Sequence, residues 1–163
     1  GELFEGRLGG EKALLLKPMT YMNRSGLSVG EATRFYKLQP EQIFVFHDEL
    51  DLAAGKVRAK TGGGHAGHNG IRDIATVIGP NFHRIRLGIG HPGEKGRVTG
   101  HVLSDFSKAD EDWLGPVIEA VSEAAGWLAA GDLPRFMTEV ARRTNESDQS
   151  ATAGAADNGA SKA

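Results

Sequence analysis

The residue types best suited to chemistry are concentrated in one stretch of the chain. Asp48 follows a hydrophobic run, a basic ribbon spans residues 56–60, and a glycine-rich loop with two histidines and an amide spans residues 62–69. A carboxylate at the end of a strand can orient a histidine and raise its basicity, although an aspartate there can also cap a turn. This order of groups predicts a site for a polyanion with a reaction centre beside it.

The glycine-rich loop has the sequence Gly62-Gly63-Gly64-His65-Ala66-Gly67-His68-Asn69. It lacks the Gly-Lys-Ser/Thr ending of nucleotide-hydrolysing phosphate loops, so that class of protein is excluded. Its glycines still permit a ligand to approach the backbone closely, and the N-terminus of the helix that follows favours an anion. Asn69 is predicted to hydrogen-bond a carbonyl or hydroxyl of the substrate and also to cap that helix, and the two roles are compatible.

A metal site built on His65 and His68 is the alternative chemistry for this loop. The nearest carboxylates in the sequence are Asp48, Glu49 and Asp51. A His-x-x-His pair within a glycine loop is not the helical ligand pair of zinc sites. The spacing therefore favours a site without metal.

Composition places the chain among ordinary globular proteins. Its 163 residues fit one domain, and 39% hydrophobic with 25% charged residues is normal usage. The absence of cysteine excludes disulfides and thiol catalysis, and no apolar run is long enough to span a membrane. A reducing compartment is compatible with this composition, and a cytoplasmic location is expected.

Positive charge is concentrated in one segment. The net charge is −2, yet residues 56–97 hold eight basic residues and two acidic ones. One basic segment in a nearly neutral protein predicts a localised anionic ligand rather than a general coat of nucleic acid. The alternative is a solvated loop face whose charges do not converge in space.

Hydrophobic periodicity and turn signals predict strands that alternate with helices. The predicted strands are a hairpin of residues 3–8 and 12–17, then residues 43–46, 56–60 and 82–89, with a short extended piece at 98–103. The predicted helices are residues 23–37, 69–78, 107–130 and 132–143. This alternation predicts an α/β fold, specifically a three-layer α/β/α sandwich around a mixed β-sheet.

Local signals add detail to these elements. The continuous apolar run of residues 13–16 predicts a strand covered on both faces. Asn23 or Ser25 is expected to cap the first helix, and a capping box is expected near residue 107. Residues 144–163 are rich in Ala, Ser, Gly and Asn and lack aromatics, which predicts a disordered tail after a domain of residues 1–143.

Four segments together resemble bacterial-type peptidyl-tRNA hydrolases. They are Lys-Pro-Met-Thr-Tyr-Met-Asn-Arg-Ser-Gly at 17–26, His-Asp-Glu-Leu-Asp-Leu at 47–52, Gly-Gly-Gly-His-Ala-Gly-His-Asn-Gly at 62–70 and Phe-His-Arg-Ile-Arg-Leu-Gly-Ile-Gly-His-Pro-Gly at 82–93. They occur in the family's order and near its spacing, and the resemblance covers about residues 3–143. Four long matches in order are very specific.

The resemblance implies hydrolysis of the ester between a peptide and the 3′ ribose of tRNA, which recycles tRNA from abandoned translation products. The implied partner is peptidyl-tRNA, and no cofactor is expected. Nothing in the sequence demands more than a monomer. Asp48 would hold the catalytic histidine in its basic form, and Asn23 and Asn69 would bind the peptide and the tRNA end.

The resemblance also implies a wider set of binding residues. Tyr21 and Met22 would line the pocket, and His68 would support the glycine loop, to which Gly67 also belongs. Lys60 and Arg86 would contact tRNA phosphates, in agreement with the basic segment.

One signature of the resembled family is not found. Its general base is a histidine in a segment of the form Gly-Leu-Gly-Asn-Pro-Gly … Thr-Arg-His-Asn, and no such segment occurs in the sequence. The expectation is an N-terminally truncated hydrolase that lacks this segment and its central strand and is itself inactive. Two alternatives are a non-catalytic RNA- or peptide-binding relative and a metal-dependent hydrolase built on His65 and His68.

Overall fold

The computed structural model describes the backbone of residues 1–157 and the side chains of residues 1–145. The strands are β1 (Glu2–Leu8), β2 (Glu11–Lys17), β3 (Phe44–Glu49), β4 (Val57–Thr61) and β5 (His83–Gly88). The α-helices are α1 (Ser25–Tyr36), α2 (Asn69–Ile78), α3 (Val98–Leu103), α4 (Glu111–Ala129) and α5 (Leu133–Asp157). Short 3₁₀ turns lie at Met22–Arg24, Pro40–Gln42, Lys95–Arg97 and Lys108–Asp110. This order of strands and helices confirms the predicted α/β class.

The described chain divides into two compact units. The first unit comprises Gly1–His47 and Arg58–Arg86, and the second comprises Asp48–Val57 and the described chain from Leu87 onward. Strands β1 and β2 form the predicted antiparallel hairpin. Strands β3, β5 and β4 form a sheet in that order, so β5 is its middle strand.

The core of the first unit lies where helices α1 and α2 meet the strands. Its buried members are Val29, Ile71, Ile74 and Phe82, and parts of β2 and β3 pack against them. Helix α2 contributes apolar residues at helical spacing, which is why its sequence forms an amphipathic helix here. The core thus fixes the N-terminal end of α2, where several predicted site residues lie.

Helices α4 and α5 form the core of the second unit. Their buried residues are Val117, Ala120, Ala124 and Leu128 on α4 and Phe136 and Val140 on α5. The predicted capping box precedes α4, because Ser107 N–H donates to Asp110 Oδ2 at 2.7 Å and Asp110 N–H donates to Ser107 Oγ at 3.3 Å. No helix within residues 1–157 is both long and apolar enough to cross a membrane.

Several local expectations were wrong. Residues 98–103 form helix α3 rather than an extended piece. Strand β2 is not covered on both faces, since Leu15 is 56% exposed. No side chain caps α1 at Asn23 or Ser25; instead Asp73 Oδ2 on α2 accepts a hydrogen bond from Gly26 N–H at 2.7 Å.

The predicted disordered tail falls partly on a helix. Helix α5 continues to Asp157, so residues 144–157 are helical. Residues 158–163 lie outside the described part of the chain. The boundary of the domain at residue 143 stays a prediction.

Candidate functional site

The glycine loop, residues 62–68, is a chain of backbone turns that requires its glycines. Gly62, Gly63 and Gly67 have φ of 67°, 92° and 81°, values that favour glycine, and Ala66 shares this left-handed region at 47°. The loop is closed at its start by Gly62 N–H, which donates to the Phe82 carbonyl at 3.0 Å. The backbone of the loop is therefore held in a defined course that leads into α2.

His68 is the N-cap of helix α2. Its Nδ1 accepts hydrogen bonds from Gly70 N–H at 3.1 Å and Ile71 N–H at 3.2 Å. These are two of the backbone donors that the first turn of a helix leaves without intrahelical partners. The prediction that Asn69 caps this helix was therefore wrong, because the histidine one position earlier takes that role.

Asn69 is the first residue of α2, and its side chain is exposed. Its Oδ1 accepts a hydrogen bond from Arg72 Nη2 at 2.7 Å. This contact fixes the amide oxygen and makes the amide nitrogen the group able to donate to a ligand. The i,i+3 spacing of Asn69 and Arg72 on a helix is the signal from which this contact could have been predicted.

Met22 lies against the same helix end. A Cβ built on Gly70 would lie 2.6 Å from Met22 Sδ and 3.1 Å from the His68 ring, so only a glycine permits this approach. Met22 is still 56% exposed and Tyr21 is 84% exposed. The structure therefore brings Met22 and His68 together beside Gly70, immediately after Asn69, and it places Tyr21 and Asn23 on the exposed turn that carries Met22.

The predicted phosphate contacts are half-buried on neighbouring strands. Lys60 lies on the edge strand β4 and Arg86 on the middle strand β5. The Lys60 ammonium nitrogen lies 3.1 Å from the position of a Cβ on Gly63, so this lysine flanks the glycine loop. Arg84, by contrast, is 1% exposed and presents no surface charge, which removes one cation from the predicted basic segment.

Asp48 belongs to the second unit and is the penultimate residue of β3. The chain after it is held by Ile89 N–H, which donates to Glu49 O at 3.1 Å, and by Gly90 N–H, which donates to Leu52 O at 2.9 Å. A shallow recess in this unit is lined by Leu50, Asp51, Leu52, Ala53, Gly90 and His91. None of the predicted site residues lines that recess, and the role of Asp48 stays a prediction.

The metal-dependent alternative finds no ligand set in the structure. Among the described side chains, no three His, Asp or Glu residues come together as metal ligands would. His65 Nδ1 accepts a hydrogen bond from Gly67 N–H at 3.1 Å, and His68 Nδ1 is engaged in the helix cap. The two histidines are therefore built into the backbone turns of the loop.

His47 contacts His68, which sequence reasoning did not foresee. The two rings meet edge to face, with centroids 4.9 Å apart and an interplanar angle of 73°. Because neighbouring side chains on a strand lie on opposite faces, His47 and Asp48 are expected on different faces of the sheet. This alternation does not show which helix end His47 contacts. This contact adds a strand residue to the cluster at the start of α2.

Comparisons with known proteins identify the family to which the chain is similar. A sequence model of the peptidyl-tRNA hydrolase family matches residues 1–149. The chain is 61% identical to a peptidyl-tRNA hydrolase of Dinoroseobacter shibae and 65% identical to one of Ruegeria pomeroyi, in each case over 88% of its length. A crystal structure of peptidyl-tRNA hydrolase from Acinetobacter baumannii superposes with a TM-score of 0.78 at 48% identity, over 83% of this chain and 69% of that one.

The fold and the sequence similarity together show an α/β protein that is related to hydrolases. The chain belongs to the peptidyl-tRNA hydrolase family. It spans 61% and 60% of the lengths of the two named relatives. None of these matches supports the expectation of a missing N-terminal segment, which stays a prediction.

Proposed function

We propose that this protein hydrolyses the ester bond between the peptide and the tRNA of peptidyl-tRNA and so recycles tRNA from abandoned translation products. The observation that carries the proposal is the cluster at the start of α2, where Met22, His68 and Asn69 meet the end of the glycine loop. The family match over residues 1–149 supports the same chemistry. The N-terminus of a helix beside an imidazole and an amide group suits a substrate that carries both an ester and phosphates.

The proposed chemistry is attack of water on the ester carbonyl. A general-base histidine takes a proton from the water while the water oxygen bonds to the carbonyl carbon. The bond from that carbon to the ribose 3′ oxygen then breaks, and the histidine gives its proton to that leaving oxygen. Asp48 orients that histidine and stabilises its basic form, in line with the resemblance. Asn23 and Asn69 bind the peptide and the tRNA end through their amides, and the amide nitrogen of Asn69 is the donor that the Arg72 contact leaves available.

The remaining residues of the proposed site bind rather than react. Tyr21 and Met22 line the pocket for the peptide and the terminal nucleotide, and both are exposed enough to do so. His68 supports the start of α2, and Gly67 permits close approach of the backbone. Lys60 and Arg86 contact tRNA phosphates through positive charge.

Release of tRNA from an N-acetylated aminoacyl-tRNA tests the activity. The product of the longest reading frame that contains this sequence is expected to cleave it, with or without a metal chelator. The 163-residue chain is expected to cleave it far more slowly, because none of its six histidines lies in a Thr-Arg-His-Asn context. Binding of tRNA without turnover by the longer form would instead favour the non-catalytic relative, and loss of activity with chelator would favour the metal-dependent hydrolase.

Two kinds of substitution separate catalysis from binding. Asp48→Asn is expected to lower kcat by about 100-fold or more with little change in KM, because the carboxylate acts on the base. Lys60→Ala and Arg86→Ala are each expected to weaken tRNA binding and to reduce its salt slope by about one. Lys12→Ala on the exposed hairpin is the control for loss of one positive charge, and a salt slope unchanged by the first two would refute the phosphate assignment.

We further propose that the protein acts as a monomer in the cytoplasm. Light scattering coupled to size-exclusion chromatography, with and without tRNA, measures the oligomeric state. A stable dimer at micromolar concentration would contradict it.

A further inference from the structure

Arg84 is the largest fully buried side chain among those described, and it lies on the middle strand β5. It is 1% exposed. Desolvation by burial lowers the pKa of its guanidinium. A cation in this environment donates strongly to carbonyl oxygens, because no water competes for its hydrogen atoms.

The partners of Arg84 lie in the two loops that flank helix α2. Its Nη1 donates to the carbonyl of Gly64 in the glycine loop, and its Nη2 donates to the carbonyl of Pro80 at 3.4 Å. Its guanidinium carbon also lies 4.6 Å from the centre of the Phe82 ring. One buried side chain thus ties the segment before α2 to the segment after it.

The glycine loop in turn borders Lys60. Gly62 N–H is bonded to Phe82 O, the neighbouring Gly64 carbonyl is bonded to Arg84, and the residue between them, Gly63, lies against the Lys60 ammonium group. Movement of the Gly64 carbonyl would therefore move the backbone that flanks the lysine. The loop also delivers the chain to His68 and Asn69.

We propose that Arg84 is a positioning residue that holds the glycine loop in the course that places Lys60 for tRNA phosphates. This inference rests on the proposed function, because it assigns Lys60 to a tRNA contact. Arg84 itself is buried and touches no ligand. Its effect on tRNA is transmitted through the carbonyl of Gly64 and the backbone of Gly63.

The test combines a measurement on the loop with one on tRNA, using the product of the longest reading frame that contains this sequence. The variants are Arg84→Lys, Arg84→Met, Lys60→Ala and the double variant Arg84→Met with Lys60→Ala. Lysine keeps the charge but cannot bond two carbonyls through a planar fork, and methionine keeps an unbranched stem without the charge. Ile85→Val is the matched control, since Ile85 is fully buried on the same strand and bonds no loop carbonyl through its side chain.

Hydrogen exchange at residues 62–68 is expected to speed up in Arg84→Met and not in Ile85→Val. The tRNA affinity of Arg84→Met is expected to fall by about tenfold, on the scale of one lost charge-assisted contact. Adding Lys60→Ala to it is expected to cause little further loss, because the lysine is already displaced. The tRNA affinity of Arg84→Lys is expected to lie between those of the wild type and Arg84→Met. The kcat of both Arg84 variants at saturating substrate is expected to stay near the wild-type value.

The following outcomes would overturn the inference that Arg84 positions the glycine loop. Unchanged exchange of the loop in Arg84→Met would show that the arginine does not hold it. Full additivity of Arg84→Met and Lys60→Ala on tRNA affinity would show that the loop does not place the lysine. Absence of tRNA binding by the wild type would overturn the proposed function as well, whereas tRNA binding that Lys60→Ala weakens and Arg84→Met does not would overturn this inference alone.

Discussion

We expect Gly30→Ala to destabilise the protein in the wild-type background and to stabilise it when Val77 is replaced by alanine. A Cβ on Gly30 would lie 2.6 Å from Val77 Cγ1, across the contact between α1 and α2. Valine in a helix is held in one side-chain rotamer, so Val77 cannot readily turn aside. Overpacking of this kind costs about 1–3 kcal/mol, and the better helix propensity of alanine returns about 1 kcal/mol.

The same geometry predicts that Gly30→Ala changes from destabilising to stabilising when Val77 is replaced by alanine. Without the Val77 methyl groups, the closest remaining atoms to the new Cβ are Arg34 Nη1 at 3.5 Å and the Cβ of residue 77 at 3.9 Å, both ordinary contacts. Only the propensity gain of about 1 kcal/mol should then remain. Gly26→Ala is the matched control. Its Cβ would lie 2.7 Å from Val77 Cγ2 and also 2.6 Å from the Asp73 carbonyl oxygen, and Val77→Ala relieves the first clash but not the second, which is with backbone.

Urea unfolding followed by circular dichroism gives the free energy of unfolding of each variant. The cycle of Gly30→Ala and Val77→Ala should show a coupling of about 1–3 kcal/mol. The cycle of Gly26→Ala and Val77→Ala should leave Gly26→Ala strongly destabilising. Equal destabilisation by Gly30→Ala in both backgrounds would refute the reasoning that Val77 is what the added methyl meets.

Three further predictions concern helix ends. His68→Ala should cost about 1 kcal/mol of unfolding free energy and His68→Asn much less, since asparagine can accept the same backbone hydrogen bonds. Asp73→Ala should cost about 1–2 kcal/mol, because it leaves Gly26 N–H at the start of α1 without its acceptor, and hydrogen exchange at Gly26 should quicken. Hydrogen bonds from Ser107 lower the pKa of the Asp110 carboxyl, so its stabilising effect should be present above about pH 4 and lost as pH falls through the lowered pKa. Asp110→Ala should therefore flatten the acid limb of the stability profile, and a carboxyl pKa that Ser107→Ala fails to raise in an NMR titration would contradict this.

Elements set by local pattern were predicted well. Helix α2 begins and ends at the predicted residues, 69 and 78, because its apolar residues recur at helical spacing and a glycine follows it. The hairpin of β1 and β2 follows from the two glycines at its turn, and the box of Ser107 and Asp110 from a three-residue spacing. Each of these depends only on residues close in the sequence.

Burial of Arg84 could not be predicted in the same way. Alternation along residues 82–89 indicates a strand with arginines on one face, but it does not show what covers that face. Arg84 is buried because the loops on either side of α2, to whose carbonyls it donates, cover it. Strand order and loop course arise from contacts between distant residues, which periodicity does not contain.

The start of α2 shows why the predicted roles of Asn69 divide between two residues. Asparagine is among the best N-caps, so a side chain at this position was expected to serve both the helix and the substrate. Histidine is a less common cap, yet His68 accepts from the first turn through Nδ1 and packs against His47, which leaves no cap for Asn69 to supply. The amide of Asn69 is then aligned by Arg72 instead of by the backbone. Helix stability and ligand recognition therefore rest on adjacent side chains, so a substitution at Asn69 can alter binding without removing the cap that orders the loop.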